Sequence, residues 1–119
     1  MESTGTKAFA GLLPEEVLAL PKVEVPYDGV TGFALSDDEK QVVFFVFEEG
    51  VSFPDHSHCN QQGTVLSGEM ILEIEGQTSF YQAGDHYTVP EGVNHRTVFS
   101  QRTVLVDMSD DPSRFRVHG

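Results

Sequence analysis

Three histidines in two separate segments carry the chemistry that this sequence offers. His56 and His58 lie two residues apart in the stretch Gly50–Gly68, GVSFPDHSHCNQQGTVLSG, and His95 closes the stretch Gly84–His95, GDHYTVPEGVNH. Residues two apart on an extended chain project from one face. The imidazoles of His56 and His58 can therefore grip a single ion through ring nitrogens at roughly 2.0–2.2 Å. His95 comes from a distant strand, delivered after the Pro90-Glu91-Gly92 turn. A barrel interior brings such distant groups together, where one local loop cannot. Nitrogen-rich ligation suits zinc, iron, nickel, copper or cobalt better than magnesium or calcium, and the sequence leaves the choice among those five open.

The elements that must position these groups read as strands. Short β-rich runs occur at Phe33–Leu35, Val42–Phe47, Val65–Ile74, Thr78–Tyr81, Tyr87–Val89, Arg96–Phe99 and Thr103–Met108. Turn signals separate them at Gly29, Gly32, Glu49-Gly50, Gly68, Glu75-Gly76, Ala83-Gly84 and Pro90-Glu91-Gly92. Many short strands with regularly spaced glycines predict an all-β sandwich or jelly roll. Ahead of them, Leu13–Pro21 (LPEEVLALP) predicts a short helix, with Pro14 near its start, acids in its first turn and Pro21 at its end. The expected division is an N-terminal segment over 1–22 and a single barrel domain over 23–119.

Two strands have telling patterns. Met70, Leu72 and Ile74 alternate with Ile71, Glu73 and Glu75, which predicts the first set on the core face. Val42–Phe47, VVFFVF, is apolar on both faces, so a second surface must cover it. A homodimer in which it packs against its mate and a cover by the N-terminal helix fit equally well.

Composition narrows the partners. The 119-residue chain carries a net charge of −12 with only seven Lys and Arg. Nucleic-acid binding needs basic surface that releases counterions, and anionic membranes need the same, so neither is expected. No apolar run approaches the roughly 18–20 residues of a membrane span, and MESTGTKAFAGLL lacks a signal-peptide pattern. Together with a single cysteine, Cys59, this predicts a soluble cytoplasmic protein.

At this point the chain resembles the cupin family. The first cupin motif is a glycine, five residues, H-x-H, three or four residues, an acid, six residues and a glycine; Gly50, His56, His58 and Gly68 match it. The second is a glycine, five residues, P-x-G, two residues and a histidine; Gly84, Pro90, Gly92 and His95 match every element. The resemblance covers roughly Phe33 to Met108. It implies a double-stranded β-helix, or jelly-roll barrel, holding one divalent transition metal on His56, His58, His95 and a fourth ligand. The usual acid is missing, and Asn60, Gln61 and Gln62 stand in its place. Counting six residues back from Gly68 selects Gln61, with Gln62 as the alternative, because neighbouring strand residues face opposite ways.

An amide in place of a carboxylate leaves the ion's charge uncompensated, so its Lewis acidity should rise. The resemblance then implies an enzyme acting on a small organic substrate that is enolisable or bears a carbonyl or carboxylate. Isomerase, cyclase or lyase chemistry fits, and so does dioxygenase chemistry if the metal is iron. A metal- or ligand-binding module without turnover and a purely structural metal are the competing readings. Among the neighbours, Tyr87 is the best-placed proton carrier, with Tyr81 and Asp107 as further polar candidates. His86 and Arg96 are expected to face outward, Cys59 to be a bystander, and Asp55 and Asn60 to orient the ligands through hydrogen bonds, with a solvated turn as the equal alternative for Asp55. Phe33, Phe45, Phe47, Phe53, Phe80 and Phe99 are expected in the core or the cavity wall. No His-Asp arrangement surrounds Ser57, Ser67 or Ser79, so a serine hydrolase has no support.

Overall fold

The computed structural model describes residues 9, 11–56 and 59–117, with backbone alone at 54–56. Among the described residues, nine strands form two antiparallel sheets. They are β1 (Val30–Ser36), β2 (Gln41–Phe47), β3 (Ser52–His56), β4 (Gln61–Ser67), β5 (Glu69–Ile74), β6 (Gln77–Gln82), β7 (His86–Val89), β8 (Asn94–Val98) and β9 (Thr103–Ser109). One sheet has the order β1-β2-β9-β4-β7 and the other β3-β8-β5-β6. Strands distant in sequence are therefore spatial neighbours, as a jelly roll requires.

The run expected over Val65–Ile74 is two strands in different sheets. Gly68, at φ 88°, ends β4 and starts β5. A side chain there is excluded twice, by the left-handed backbone and by space: a Cβ would lie 2.5 Å from the Arg102 carbonyl oxygen and from Thr103 Oγ1. The chain thus crosses between the sheets at one residue. Beyond it, Met70 and Leu72 are buried and Ile74 packs against the same core, on the face that alternation selects.

That core lies between the sheets and is rich in aromatic rings. Phe45, Phe47, Phe53 and Phe99 are buried, with the Phe47 and Phe99 rings stacked at 4.0 Å. Each such ring contributes about 1.5–3 kcal/mol by burial, and stacking of this kind adds about 0.5–1.5 kcal/mol. Phe80 departs from the expectation. It stands on β6, an edge strand of the second sheet, and is 67% exposed. Composition marks it as apolar, but the register places it on the outer face opposite Ile71.

The two-faced strand β2 has a local explanation. Val43, Phe45 and Phe47 face the core, while Val46, with Phe44 packed against the same group, faces a second cluster. Phe9, Leu13 and Leu18 complete that cluster with Phe33 and Val104. The short helix α1 (Glu15–Leu18) is the one expected within Leu13–Pro21. It follows Pro14 and carries Glu15 and Glu16 in its first turn, where acids favour the helix dipole. The N-terminal segment thus covers the outer faces of β1, β2 and β9.

Candidate metal centre

The interior cavity lies between the sheets, and four elements supply its polar groups. β4 contributes Gln61, β7 contributes Tyr87, β8 contributes His95 and β9 contributes Asp107. A fifth group, Arg114, comes from the chain that follows β9. Phe45, Phe47, Phe53, Met70 and Leu72 form much of the apolar wall. The enclosed volume is about 30 Å³, enough for a water or an ion and far below the roughly 300 Å³ of an ordinary small-molecule pocket.

Of the residues selected from sequence, Gln61, His95 and Tyr87 meet in this cavity. Gln61 is 3% exposed while Gln62 is exposed, so alternation along β4 turns Gln61 inward. His56 ends β3 with its backbone opposite Asn94; its side chain and the whole of His58 lie outside the described residues, as does His118. Among the described residues no three His, Cys, Asp or Glu side chains gather as a metal cluster.

What can be tested is whether Gln61 and His95 suit a cation. Nδ1 of His95 lies 3.3 Å from the Val93 carbonyl oxygen. A ligating histidine commonly makes a contact of this kind through the ring nitrogen that does not face the metal. The buried Gln61 amide stands between unlike surroundings. One side meets only donors, the two terminal nitrogens of Arg114, and the other meets only acceptors. Both sides are satisfied when the amide oxygen accepts from Arg114 and the NH2 group donates to the acceptors. Neutral nitrogen and amide-oxygen donors at the end of such a cavity fit a divalent transition metal.

Arg114 was not among the sequence candidates. It lies in DDPSRF, a stretch with no periodic pattern, and its only signal is one cation in an acidic segment. Its position depends on a clamp that the sequence also conceals. Gln41, buried at the start of β2, donates from Nε2 to the Phe115 carbonyl at 3.0 Å and accepts from the Phe115 N–H at 3.0 Å. Phe115 then packs edge-on to Phe45, with ring centres 5.5 Å apart. Further on, Val117 bridges Val23, and the Glu24 N–H donates to the Arg116 carbonyl. The segment after β9 is thereby drawn along the barrel, and Arg114 turns inward over the Phe115 ring at 4.5 Å.

Within the cavity Arg114 Nη1 donates to Asp107 Oδ1 at 3.0 Å, with both side chains largely buried. Asp107 Oδ2 accepts from the Tyr87 hydroxyl at 2.6 Å. The sequence reading of Tyr87 as proton carrier meets a physical obstacle here. Burial first, and then the Asp107 charge, push the phenol well above its ordinary ionisation range, partly opposed by Arg114. Tyr87 is therefore a fixed donor at neutral pH. Asp107, with one oxygen toward each neighbour, links the two halves of the group.

Tyr87 reaches Asp107 across an intervening strand. Gly63 on β4 is directly opposite Tyr87 on one side and Asp107 on the other. Its missing side chain leaves the space that the Tyr87 ring occupies. Gly63 thus sits inside a strand and serves this contact. Asn60 also has a different task from orienting ligands. It donates from its backbone N–H and its amide nitrogen to Asp110 and accepts from the Glu91 N–H at 2.8 Å, tying three loops together. His86 is exposed and bonded to Thr64, and Arg96 is half-exposed and paired with Glu73 at 2.8 Å, so both face outward as alternation requires. Cys59 is buried.

Comparisons with known proteins agree with this architecture. Residues 43–107, more than half of the chain, match the family model described as a Cupin domain. An RmlC-like cupin from Shewanella frigidimarina NCIMB 400 is 25% identical with a TM-score of 0.70, over 79% of this chain and 86% of that one. KdgF from Halomonas sp. is 21% identical with a TM-score of 0.69, over 77% and 88%. A salicylate 1,2-dioxygenase variant from Pseudoaminobacter salicylatoxidans is 18% identical with a TM-score of 0.69, over 79% of this chain but 31% of that one. The likeness to these last two is one of fold. A comparison with curated proteins finds no match.

Proposed function

This chain belongs to the cupin family, and within that family we propose that it is a metal-dependent enzyme acting on a small organic acid with an enolisable carbonyl. Members of the family commonly bind metals. The observation that carries the reading is the pairing of Gln61 and His95 in one interior cavity. His56, His58, Gln61 and His95 would hold the metal, and this ligand type suits zinc, iron, nickel, copper or cobalt. When bound, it would supply Lewis acidity toward a substrate oxygen, undiminished by any anionic ligand.

The chain's own residues supply the rest. The aromatic and aliphatic wall excludes water and so strengthens every polar contact inside. Arg114 offers the cavity's cationic group, suited to a carboxylate through paired N–H donors. Asp107 holds the guanidinium in place, and Tyr87 holds Asp107. Proton transfer during enolisation falls to Asp107 or to a water, since Tyr87 is locked as a donor. Isomerase or lyase chemistry is the class that this neutral ligand set supports best.

A homodimer belongs to the same proposal. After the N-terminal segment has covered Phe44 and Val46, Val42 and Met108 remain half-buried beside Leu35, which is 58% exposed. A single monomeric species in light scattering at micromolar concentration would remove that part. The central test is elemental analysis of the purified wild type and of His58→Ala. Stoichiometric zinc, nickel, cobalt, copper or iron that disappears in the variant supports the reading. Metal-free protein that also takes up none of these ions refutes it. Bound metal without turnover of any enolisable acid leaves a binding module instead.

A further inference from the structure

We propose that β6 pairs edge to edge, antiparallel, with β6 of a second copy of this chain, so that two four-stranded sheets join into one continuous sheet. The contact lies on the sheet that does not carry Leu35, Val42 and Met108, and it stands apart from the metal-dependent reading.

An edge strand leaves backbone N–H and C=O groups open to pairing, and proteins ordinarily protect it by cover, shortness, charge or proline. Among the described residues β1, β7, β3 and β6 lie at sheet edges, and the first three have such protection. β1 is covered by the chain before it: the Ala34 N–H donates to the Pro21 carbonyl at 2.8 Å, and the Val23 N–H donates to the Gly32 carbonyl at 2.9 Å. β7 has only four residues, and β3 contains Pro54 and Asp55. β6 has none of these devices. Its sequence, QTSFYQ, includes no charge and no proline, and it pairs with β5 without a bulge from Gln77 to Gln82. Every residue in it is exposed except the half-buried Tyr81.

The backbone shows which groups are open. In an antiparallel pair, successive residues turn their N–H and C=O groups alternately toward the partner strand and away from it. Both groups of Gln82 turn away from β5. Its N–H donates to Asp85 Oδ2 at 2.8 Å, and its carbonyl accepts from the Asp85 N–H at 2.9 Å. Phe80 and Thr78, two and four residues earlier, turn the same way, and each offers one donor and one acceptor to the outside. A second β6 running antiparallel, with Thr78 of each copy opposite Phe80 of the other, gives every one of these groups a partner. A two-fold contact requires this self-complementarity. The side chains agree with it. Phe80, 67% exposed, ends an apolar row that crosses the outer face through Ile71 and Val98. In this register the two Phe80 rings are diagonal neighbours, roughly 7–8 Å apart and within reach of one another.

Charge selects the occupant. At −12, a second copy is repelled over much of the surface and approaches closely only where carboxylates are absent. A basic partner gains nothing from a strand without charge. Glu75 and Asp85 lie just beyond the two ends of β6, so a residual repulsion between the copies remains for salt to screen.

Light scattering over a concentration series, micromolar to submillimolar, tests the contact in the wild type, Phe80→Glu and Thr78→Pro. The first substitution puts a carboxylate on each side of the seam. The second removes only an outward N–H, a position where an edge strand tolerates proline. The wild-type mass should double as concentration rises, and both variants should stay at the lower mass. About 0.5 M sodium chloride shortens the screening length to roughly 4 Å and should strengthen the wild-type association. Amide exchange locates the seam, because protection at Thr78 and Phe80 should rise with concentration. A wild-type mass that does not change, even in salt, overturns the proposal. A doubling that both variants retain overturns it too, since the copies then meet elsewhere, as on the Leu35 face. Should a variant lose the wild-type circular dichroism spectrum, exchange in the wild type decides alone, and unchanged protection at Thr78 and Phe80 refutes the contact.

Discussion

A methyl group at position 63 would occupy the space through which Tyr87 reaches Asp107. Built on Gly63, a Cβ lies 2.5 Å from Tyr87 Cζ and from the Val106 carbonyl oxygen, and nearer still to the Tyr87 hydroxyl. Gly63→Ala must therefore displace the ring, and overpacking of this kind costs about 1–3 kcal/mol. The displaced hydroxyl loses its 2.6 Å bond to Asp107, worth about 1.5–3 kcal/mol for a charged acceptor. The sum, roughly 2.5–6 kcal/mol, is a large share of the roughly 5–15 kcal/mol that holds a domain folded. The urea midpoint should fall by roughly 1–3 M. A double-mutant cycle separates this mechanism from general crowding. Tyr87→Phe alone has already lost the bond and the nearest contact, so Gly63→Ala should cost about 1–3 kcal/mol less in that background. Costs that add within about 0.5 kcal/mol would show independent sites and refute the account of Gly63 as the opening for Tyr87.

Two further outcomes follow from the same group of residues. The Tyr87 phenol ionises well above its ordinary value of 10.0 when folded, so the unfolded chain loses this proton first. Its contribution to stability is fully present below about pH 10 and declines as pH rises toward the folded value; urea titrations at pH 9 and 11 should show a drop that shrinks in Tyr87→Phe, and equal drops would count against the buried phenol. Gln41→Leu keeps the bulk of the side chain but leaves the Phe115 N–H and carbonyl without their partner, at a cost of about 2–4 kcal/mol. Amide exchange at Phe115 should accelerate, and unchanged protection there would show that Gln41 is not what holds the segment.

Much of the architecture was legible in the chain because it depends on local rules. Alternation set the inward faces of Met70 and Leu72, motif spacing selected Gln61, and turn signals separated seven runs where nine strands are described, Ser52–His56 being the one not foreseen. The motif spacings from Gly50 to Gly68 and from Gly84 to His95 indicated the family before any coordinates. Local rules also explain the misses. Val65–Ile74 reads as one run although Gly68 marks a turn within it, because a local turn signal does not say that the chain passes from one sheet to the other. Phe80 reads as core because composition does not reveal which edge of which sheet a strand occupies.

The sequence by itself determined an all-β cupin and pointed to the histidines and a glutamine for a site. The tertiary structure decided which polar groups share the cavity with Gln61 and His95. Asp107 and Tyr87 meet only because β9 and β7 flank β4, and Gly63 leaves the gap between them. Arg114 enters only because Gln41, 74 residues earlier than Phe115, clamps the chain after β9. Contacts of that kind arise from strand order and from long-range hydrogen bonds, and neither leaves a period or a spacing in the residues that make them.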